Sequence, residues 1–214
     1  MARLCFGSAH PSGQEVRNRP GREQHEGAKP IRSVSPGIWV RPLRLSEDHR
    51  ELEALDTAFA SDLVMTVTRQ GRTFVLSPTP VPRFSKRLPL EDLDGPGRMW
   101  DAGLVGGRDG HTLEAFLAWR FEDWNGRFSI WHLYVNANAR RHGLARALVL
   151  EAEAIARAKK AVAMWLEVSN LNVPAITAYE ALGFTVVGLD TSLNRGTPAR
   201  GEVALFMARD LSHP

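Results

Sequence analysis

The stretch that most narrows the fold runs from Ser129 to Val168. A strand pattern ends at Leu133-Tyr134-Val135, a polar and basic turn follows, and Gly143 opens a helical pattern that continues to about Lys160. Leu144, Leu148, Ile155 and several alanines give that helix one buried side, while Lys159 and Lys160 stand where cations favour the negative end of the helix dipole. Ala161 to Val168 is then apolar almost throughout, the pattern of a strand covered on both faces. Strand, crossover helix and buried strand in this order place the chain in the α/β class with a mixed sheet.

The flanking patterns fill out that sheet. Ile38, Val40, Leu43 and Leu45 outline a first strand, and Ser46 is an expected N-cap for a helix in which Leu52, Leu55 and Phe59 recur to about Ala60. Short extended pieces at Val64–Thr68, Thr73–Leu76 and around Val81 are interrupted by Gly71, Pro78, Pro80 and Pro82, and residues 83–97 read as a surface loop. Strands near Met99–Val105, Thr112–Phe121 and Phe128–Val135 form a meander, with turn residues at Gly106–Gly110 and Trp124–Gly126. After the buried strand come a helix over Pro174–Leu182, stopped by Gly183, and strands at Phe184–Leu189 and Val203–Met207. The expectation is a central twisted β-sheet of about six to seven strands flanked by helices.

Charge decides between classes of partner. The formal net charge is +3 and the isoelectric point about 9.4. Residues 1–37 hold six basic and three acidic residues, which leaves 21 of each for the remainder. The excess therefore lies in a segment rich in Gly, Pro, Arg and Glu without hydrophobic period, expected to be a flexible tail, and the domain over 38–214 is formally neutral. A nucleic-acid module carries its basic stripe on the folded domain, so no nucleic-acid partner is expected. No apolar run approaches the roughly 18 residues of a membrane helix, so no membrane partner is expected. Cys5 is the only cysteine and lies in the tail. That excludes an intramolecular disulfide, a cysteine metal site and a covalent thiol intermediate in the domain, and no metal is expected. With no secretory leader the expected location is cytoplasmic.

The candidate chemistry sits at the strand-to-helix junction. Arg140-Arg141-His142-Gly143-Leu144-Ala145 puts small residues where a ligand must approach backbone, in front of unpaired first-turn amides. A pyrophosphate suits that place, with Arg140, Arg141 and Arg146 as complementary charge. Downstream, Trp165-Leu166-Glu167-Val168 leads to Ser169-Asn170-Leu171-Asn172-Val173-Pro174-Ala175, then Tyr179 and Leu182-Gly183-Phe184. Asn172 and Tyr179 are two helical turns apart and so on one side.

With these motifs the segment from about Ser129 to Leu189 resembles the acetyl-CoA-binding core of the GNAT superfamily of N-acetyltransferases. The resemblance implies acetyl-CoA as the acetyl source. It implies that Arg140 to Ala145, with Arg146, hold the pyrophosphate and that Leu133, Tyr134 and Val135 line the pantetheine arm. It further implies that Asn172 and Ala175 contact the cofactor and that Tyr179 protonates the leaving thiolate. Leu55-Asp56-Thr57-Ala58-Phe59, Trp165 to Asn172 and Gly188-Leu189-Asp190-Thr191-Ser192-Leu193 are similar to streptothricin N-acetyltransferases, which acetylate a lysine-like amine of a cationic antibiotic. The implied acceptor is a small-molecule primary amine, with a protein or peptide amine as the second choice and a non-catalytic acetyl-CoA sensor as the third. GNAT-like domains often pair, so a homodimer is expected.

That subgroup carries carboxylates on the strand entering the cofactor loop, whereas Ser129 to Val135 has none. By simple alternation Ile130, His132 and Tyr134 share a face, which makes His132 the first candidate base and Glu167 or a water chain the second. Amine attack requires the neutral form, which for a lysine-like amine costs about 4–5 kcal/mol at neutral pH. Each assignment has a structural rival. His132 suits a hydrogen-bonded strand position, Asn172 an N-cap, Tyr179 helix packing and Glu167 a buried polar contact. Asp56, Trp124, Glu167 and Asp190 are the candidate substrate contacts. Asp62, Glu122 and Asp123 are further acids that either join them or remain solvated surface, and Trp131 and Trp165 are core residues or a substrate platform.

Overall fold

In the computed structural model, residues 32–35, 37–88, 90, 92–94 and 97–212 are described. In chain order the elements are β1 (Arg32–Ser35), β2 (Ile38–Pro42), α1 (Leu45–Glu53), β3 (Ala58–Gln70), β4 (Thr73–Arg87), β5 (Ala102–Gly107) and β6 (Ala115–Glu122). Then follow β7 (Arg127–Val135), a 3-10 turn (Ala137–Ala139), α2 (Leu144–Ala158), β8 (Ala163–Ser169), α3 (Val173–Ala181), β9 (Thr185–Asp190) and β10 (Ala204–Asp210). Eight strands form one sheet in the order β1-β2-β5-β6-β7-β8-β10-β9. Every neighbouring pair is antiparallel except β7 and β8, the pair that α2 joins by a crossover. The seven strands expected from sequence are present, and β1 adds an eighth by pairing with β2 at the sheet edge. β1 lies inside the segment expected to be a tail; residues 1–31 and 36 of that segment fall outside the described residues.

The two faces of the sheet bury separate cores. On one, α2 lays Leu144, Ala147, Leu148, Ala152 and Ala156 on Val40, Leu104, Leu117, Phe128 and Ile130. On the other, Leu52, Leu55, Leu93 and Trp100 cover Trp39, Val105, Phe116 and Ala118. Glu153, on the buried side of α2, is held by Arg157 at 3.0 Å and Arg209 at 2.8 Å, which offsets the cost of a buried carboxylate. Among the described residues no helix is long and apolar enough to cross a membrane.

Three expectations need correction. Helix α1 ends at Glu53, and its N-cap is Arg44 rather than Ser46; the Asp48 carboxylate takes the Arg44 amide at 2.8 Å and pairs with Arg41 at 2.6 and 2.8 Å. Leu52, Leu55 and Phe59 are all buried as their spacing indicated, but Asp56 accepts the Ala58 amide, turning the chain so that Phe59 enters β3. The short pieces between 64 and 81 are one long two-stranded ribbon of β3 and β4, turned at Gly71 with φ of 62°. Pro78 and Pro80 share a parity on a strand with no second neighbour among the described residues, so their missing amides fall on the side away from β3, and Pro82 falls where the register shifts. Residues 83–97 are not simply a surface loop, since β4 runs to Arg87 and Leu93 is buried.

Candidate active site

The centre of the molecule is a parting of β7 from β8. The two pair in parallel only over Arg127–Ile130 with Ala163–Leu166, and beyond that they part from each other, β7 staying paired with β6 and β8 with β10. A bulge at Trp131 starts the divergence: on β6, Ala118 faces His132 and Trp119 faces Ile130, so Trp131 has no partner. The bulge also reverses the alternation. Ile130 packs in the α2 core, whereas His132 and Tyr134 face the opposite core, where their rings stack at 5.7 Å. Ile130 therefore does not share a face with His132, contrary to the sequence reading.

The resulting cavity has a volume of about 740 Å³. It runs from the Arg141–Arg146 turn past Leu133–Val135 to Glu167, Ser169 and Glu202, with Lys86 of the ribbon on its far wall. At its phosphate-sized end, α2 begins at Gly143 with φ of 87° and no side-chain cap. The first intrahelical bond goes from the Ala147 amide to Gly143, so the amides of Leu144, Ala145 and Arg146 precede the ladder and face outward. Arg141 and Arg146 line the same end. Arg140 also lines the cavity, but its guanidinium donates to the carbonyls of Val135 at 2.9 Å, Asp56 at 3.3 Å and Ala58 at 2.5 Å. It anchors the root of the ribbon to the junction, which corrects its expected role as a phosphate ligand. His142 is exposed and does not line the cavity, so its expected cofactor contact is not supported.

Tyr179 projects from α3 into the cavity wall, edge-on to Phe184 at 6.0 Å. Burial pushes its hydroxyl up to about 12, and burial, then the charges of Tyr179 and Asp92, raise Tyr134 still further. Both phenols therefore hold their protons at neutral pH. Asn172 acts as the N-cap of α3, its Oδ1 accepting the Ala175 amide at 3.3 Å, and both residues line the cavity beside Tyr179.

Glu167 lies in the wall opposite, with no hydrogen-bond or ion-pair partner among the described residues. Burial, reinforced by the Asp190 carboxylate, pushes its carboxyl up from 4.5 to about 7. His132 is buried at 4% exposure, and its Nε2 lies 2.9 Å from Asp92 Oδ1. Trp131 Nε1 donates to the other oxygen of Asp92 at 3.2 Å. Burial opposes the charge of Asp92, yet the bonds from His132 and Trp131 outweigh it and hold that carboxyl below its usual range. The partner of His132 thus comes from a segment expected to be a loop.

Of the expected substrate contacts only Glu167 lines the cavity. Asp56 is occupied in the turn into β3, where its amide donates to Asn136 at 2.8 Å. Trp124 is 84% exposed in the β6–β7 turn, beyond the end of β7 remote from the cavity; Asp123 shares that turn and Glu122 ends β6 beside it. Asp190 closes a turn by accepting from Ser192 and Leu193, bonds that lower its pKa. Asp62 is exposed on the ribbon. Trp165 lines the cavity and Trp131 borders it. Lys86, Asp92, Ser169 and Glu202 were not singled out by sequence. The one available signal was Leu90 and Leu93, apolar residues in a supposed loop that gave notice of a buried segment carrying Asp92.

The acetyltransferase (GNAT) family profile matches residues 74–184, the span that builds most of this cavity. The chain belongs to the GNAT acetyltransferase family. A streptothricin acetyltransferase of Streptomyces lavendulae is 34% identical over 196 residues, covering 86% of this chain and 96% of that protein. The crystal structure of a nourseothricin acetyltransferase superposes with a TM-score of 0.73 at 36% identity, covering 81% of this chain and 98% of that one. A Bacillus anthracis protein presented as a candidate streptothricin acetyltransferase, crystallised with acetyl coenzyme A, shares the fold with a TM-score of 0.69 at 21% identity, over 81% and 99% of the two chains. As a GNAT enzyme the chain is an acetyl-CoA-dependent N-acetyltransferase. Its cavity fits that cofactor: outward amides ahead of an uncapped helix suit a pyrophosphate, and the unpaired edge of β7 beyond Ile130 suits an amide-bearing arm.

Proposed function

We propose that the chain acetylates a primary amine of streptothricin or a related cationic antibiotic, in the cytoplasm, by direct attack in a ternary complex, and so confers resistance. The observation that carries this reading is the placement, across one cavity, of a carboxyl without a hydrogen-bond partner among the described residues and raised to about 7, and of a phenol raised to about 12. An acid and a base held apart in this way are what amine acetylation requires at neutral pH. The similarity to the Streptomyces lavendulae enzyme supports the choice of acceptor.

Bound acetyl-CoA supplies the activated acetyl group. In the proposal Leu144, Ala145 and Arg146 offer backbone amides to its pyrophosphate, with Arg141 and Arg146 as counter-charge. Leu133 to Val135 present the backbone edge along which its arm lies, beside Asn172 and Ala175. Glu167 attracts the acceptor ammonium when ionised and takes its proton at a carboxyl oxygen. Tyr179 keeps its proton at Oη for the departing sulfur. His132, its Nε2 engaged with Asp92, positions the wall of the acceptor side and does not serve as the base.

The test is thiol release from acetyl-CoA with streptothricin, an aminoglycoside, a polyamine and a lysine peptide. Release with streptothricin, strongly reduced in both Glu167→Gln and Tyr179→Phe, is the expected result. Release on the peptide alone would replace the antibiotic by a protein acceptor.

A further inference from the structure

The cavity already contains a cation bound to a carboxylate. Lys86, on β4 of the ribbon, reaches across to Glu202, which precedes β10, and Ser169 Oγ donates to the other oxygen of the same carboxylate at 2.6 Å. All three residues line the cavity together with Glu167. The Glu202 side chain is only 11% exposed and that of Lys86 26%, so the pair is screened far less than a surface ion pair. The two carboxyls are thus in different states: Glu202 is satisfied by an ammonium and a hydroxyl, and Glu167 has no partner among the described residues.

Their spacing follows from the strand. Glu167 and Ser169 are alternate residues on β8 and both face the cavity, and the carboxylate of Glu202 is held at Ser169. Alternate positions on one strand face lie about 6–7 Å apart. The cavity therefore offers two anionic positions at a set separation, one without a partner among the described residues and one filled by the protein's own lysine.

Resting on the acetyl-transfer reading of the cavity, we propose that Glu202 is a specificity-determining residue that receives a second ammonium of the acceptor, and that Lys86 is its displaceable placeholder. An acceptor with two amino groups places the reacting one at Glu167 and exchanges the other for Lys86 on Glu202. Charge is conserved in the exchange, since one ammonium replaces another and Lys86 moves out toward solvent on its flexible stem. A monoamine leaves Lys86 in place and gains only the contact with Glu167. The enzyme on this account selects alkyl diamines and lysine-like chains over monoamines, and the ribbon contributes directly to acceptor choice.

The experiment is calorimetric binding of 1,5-diaminopentane and 1-aminopentane to the full chain without acetyl-CoA. At about pH 8 Glu167 is mostly ionised and alkyl amines remain protonated. Wild type should bind the diamine about threefold more tightly or better, less than the gain of a wholly new charge-assisted bond because Lys86 is displaced in the exchange. In Glu202→Gln that ratio should fall to near unity. Lys86→Met keeps Glu202 and removes its competitor, so the diamine should bind about threefold more tightly still, or better. A ratio that survives in Glu202→Gln, or no tightening in Lys86→Met, overturns the proposal. Thiol release with 1-aminopentane and acetyl-CoA separates this from the underlying reading: monoamine turnover without diamine preference defeats only the inference, and absence of turnover on any amine defeats the reading itself.

Discussion

Replacing Glu167 by glutamine should raise stability and remove activity together, with a stability gain that grows as pH rises. The carboxyl sits at about 7 in the folded chain against an ordinary 4.5, chiefly because burial disfavours its charge. A folded acid that holds its proton more tightly than the unfolded chain loses stability as pH rises between those two values. The displacement of about 2.5 units corresponds at 1.36 kcal/mol per unit to roughly 3 kcal/mol, and partial solvent access to the cavity brings this to about 1–3 kcal/mol. Glutamine has no charge to desolvate. Urea unfolding of both proteins from pH 5 to pH 8 should therefore show Glu167→Gln gaining on wild type by about 1–3 kcal/mol across that window, with most of the gain between pH 5 and 7. Over the same window wild-type kcat/KM should rise through an apparent pKa near 7, as Glu167 becomes able to take a proton, and glutamine should lower it by about 100- to 10,000-fold. A stability difference that does not change with pH would refute the reasoning, because it would mean that Glu167 titrates alike in the folded and unfolded chain.

Three further outcomes follow from other parts of the structure. Tyr179→Phe keeps the edge contact with Phe184 but removes the proton, so kcat should fall about 100-fold or more while the acetyl-CoA Kd measured by calorimetry is unchanged. Gly143→Ala forces a side chain into the left-handed conformation at the start of α2, a strain of about 1–2 kcal/mol that should weaken coenzyme A binding about tenfold. Arg140→Ala strips donors from the carbonyls of Val135, Asp56 and Ala58, so thermal unfolding should register a loss of about 1–3 kcal/mol, a structural effect expected even without cofactor.

The β7–α2–β8 unit was legible because its signals agree. A long amphipathic helix, a doubly buried strand and a glycine at the junction all specify one arrangement, and the elements fall within a few residues of their expected ends. Around α1 the signals conflict: Phe59 continues a helical spacing that Asp56 breaks by taking the Ala58 amide, a local side-chain bond that no periodicity records. The ribbon was hidden by prolines that are tolerated only because β4 has no second neighbour among the described residues, which is a property of topology.

The site divides in the same way. Gly143, Asn172, Glu167 and Tyr179 stand in or beside regular elements at fixed offsets from the junction, and the cavity contains all four. The face of His132 was misread because a single bulge at Trp131 reverses every side chain after it. Lys86 and Asp92 come from one part of the chain and Glu202 from another far along it, and the contacts of Lys86 with Glu202 and of Asp92 with His132 exist only once the ribbon and the segment after it have folded onto the sheet. Arg140 shows the converse. Its residue type and place in the motif suggested a phosphate, and the fold uses its guanidinium to hold the backbone that shapes the cavity.

The most direct test of the acetyl-transfer account is the ratio of kcat/KM for streptothricin to that for a lysine peptide, measured with the same acetyl-CoA and enzyme. The account predicts rapid monoacetylation of streptothricin and a preference of at least about 100-fold, as expected of a cavity whose buried polar groups are matched to one acceptor. Equal turnover of the two acceptors, or a preference for the peptide, would contradict it.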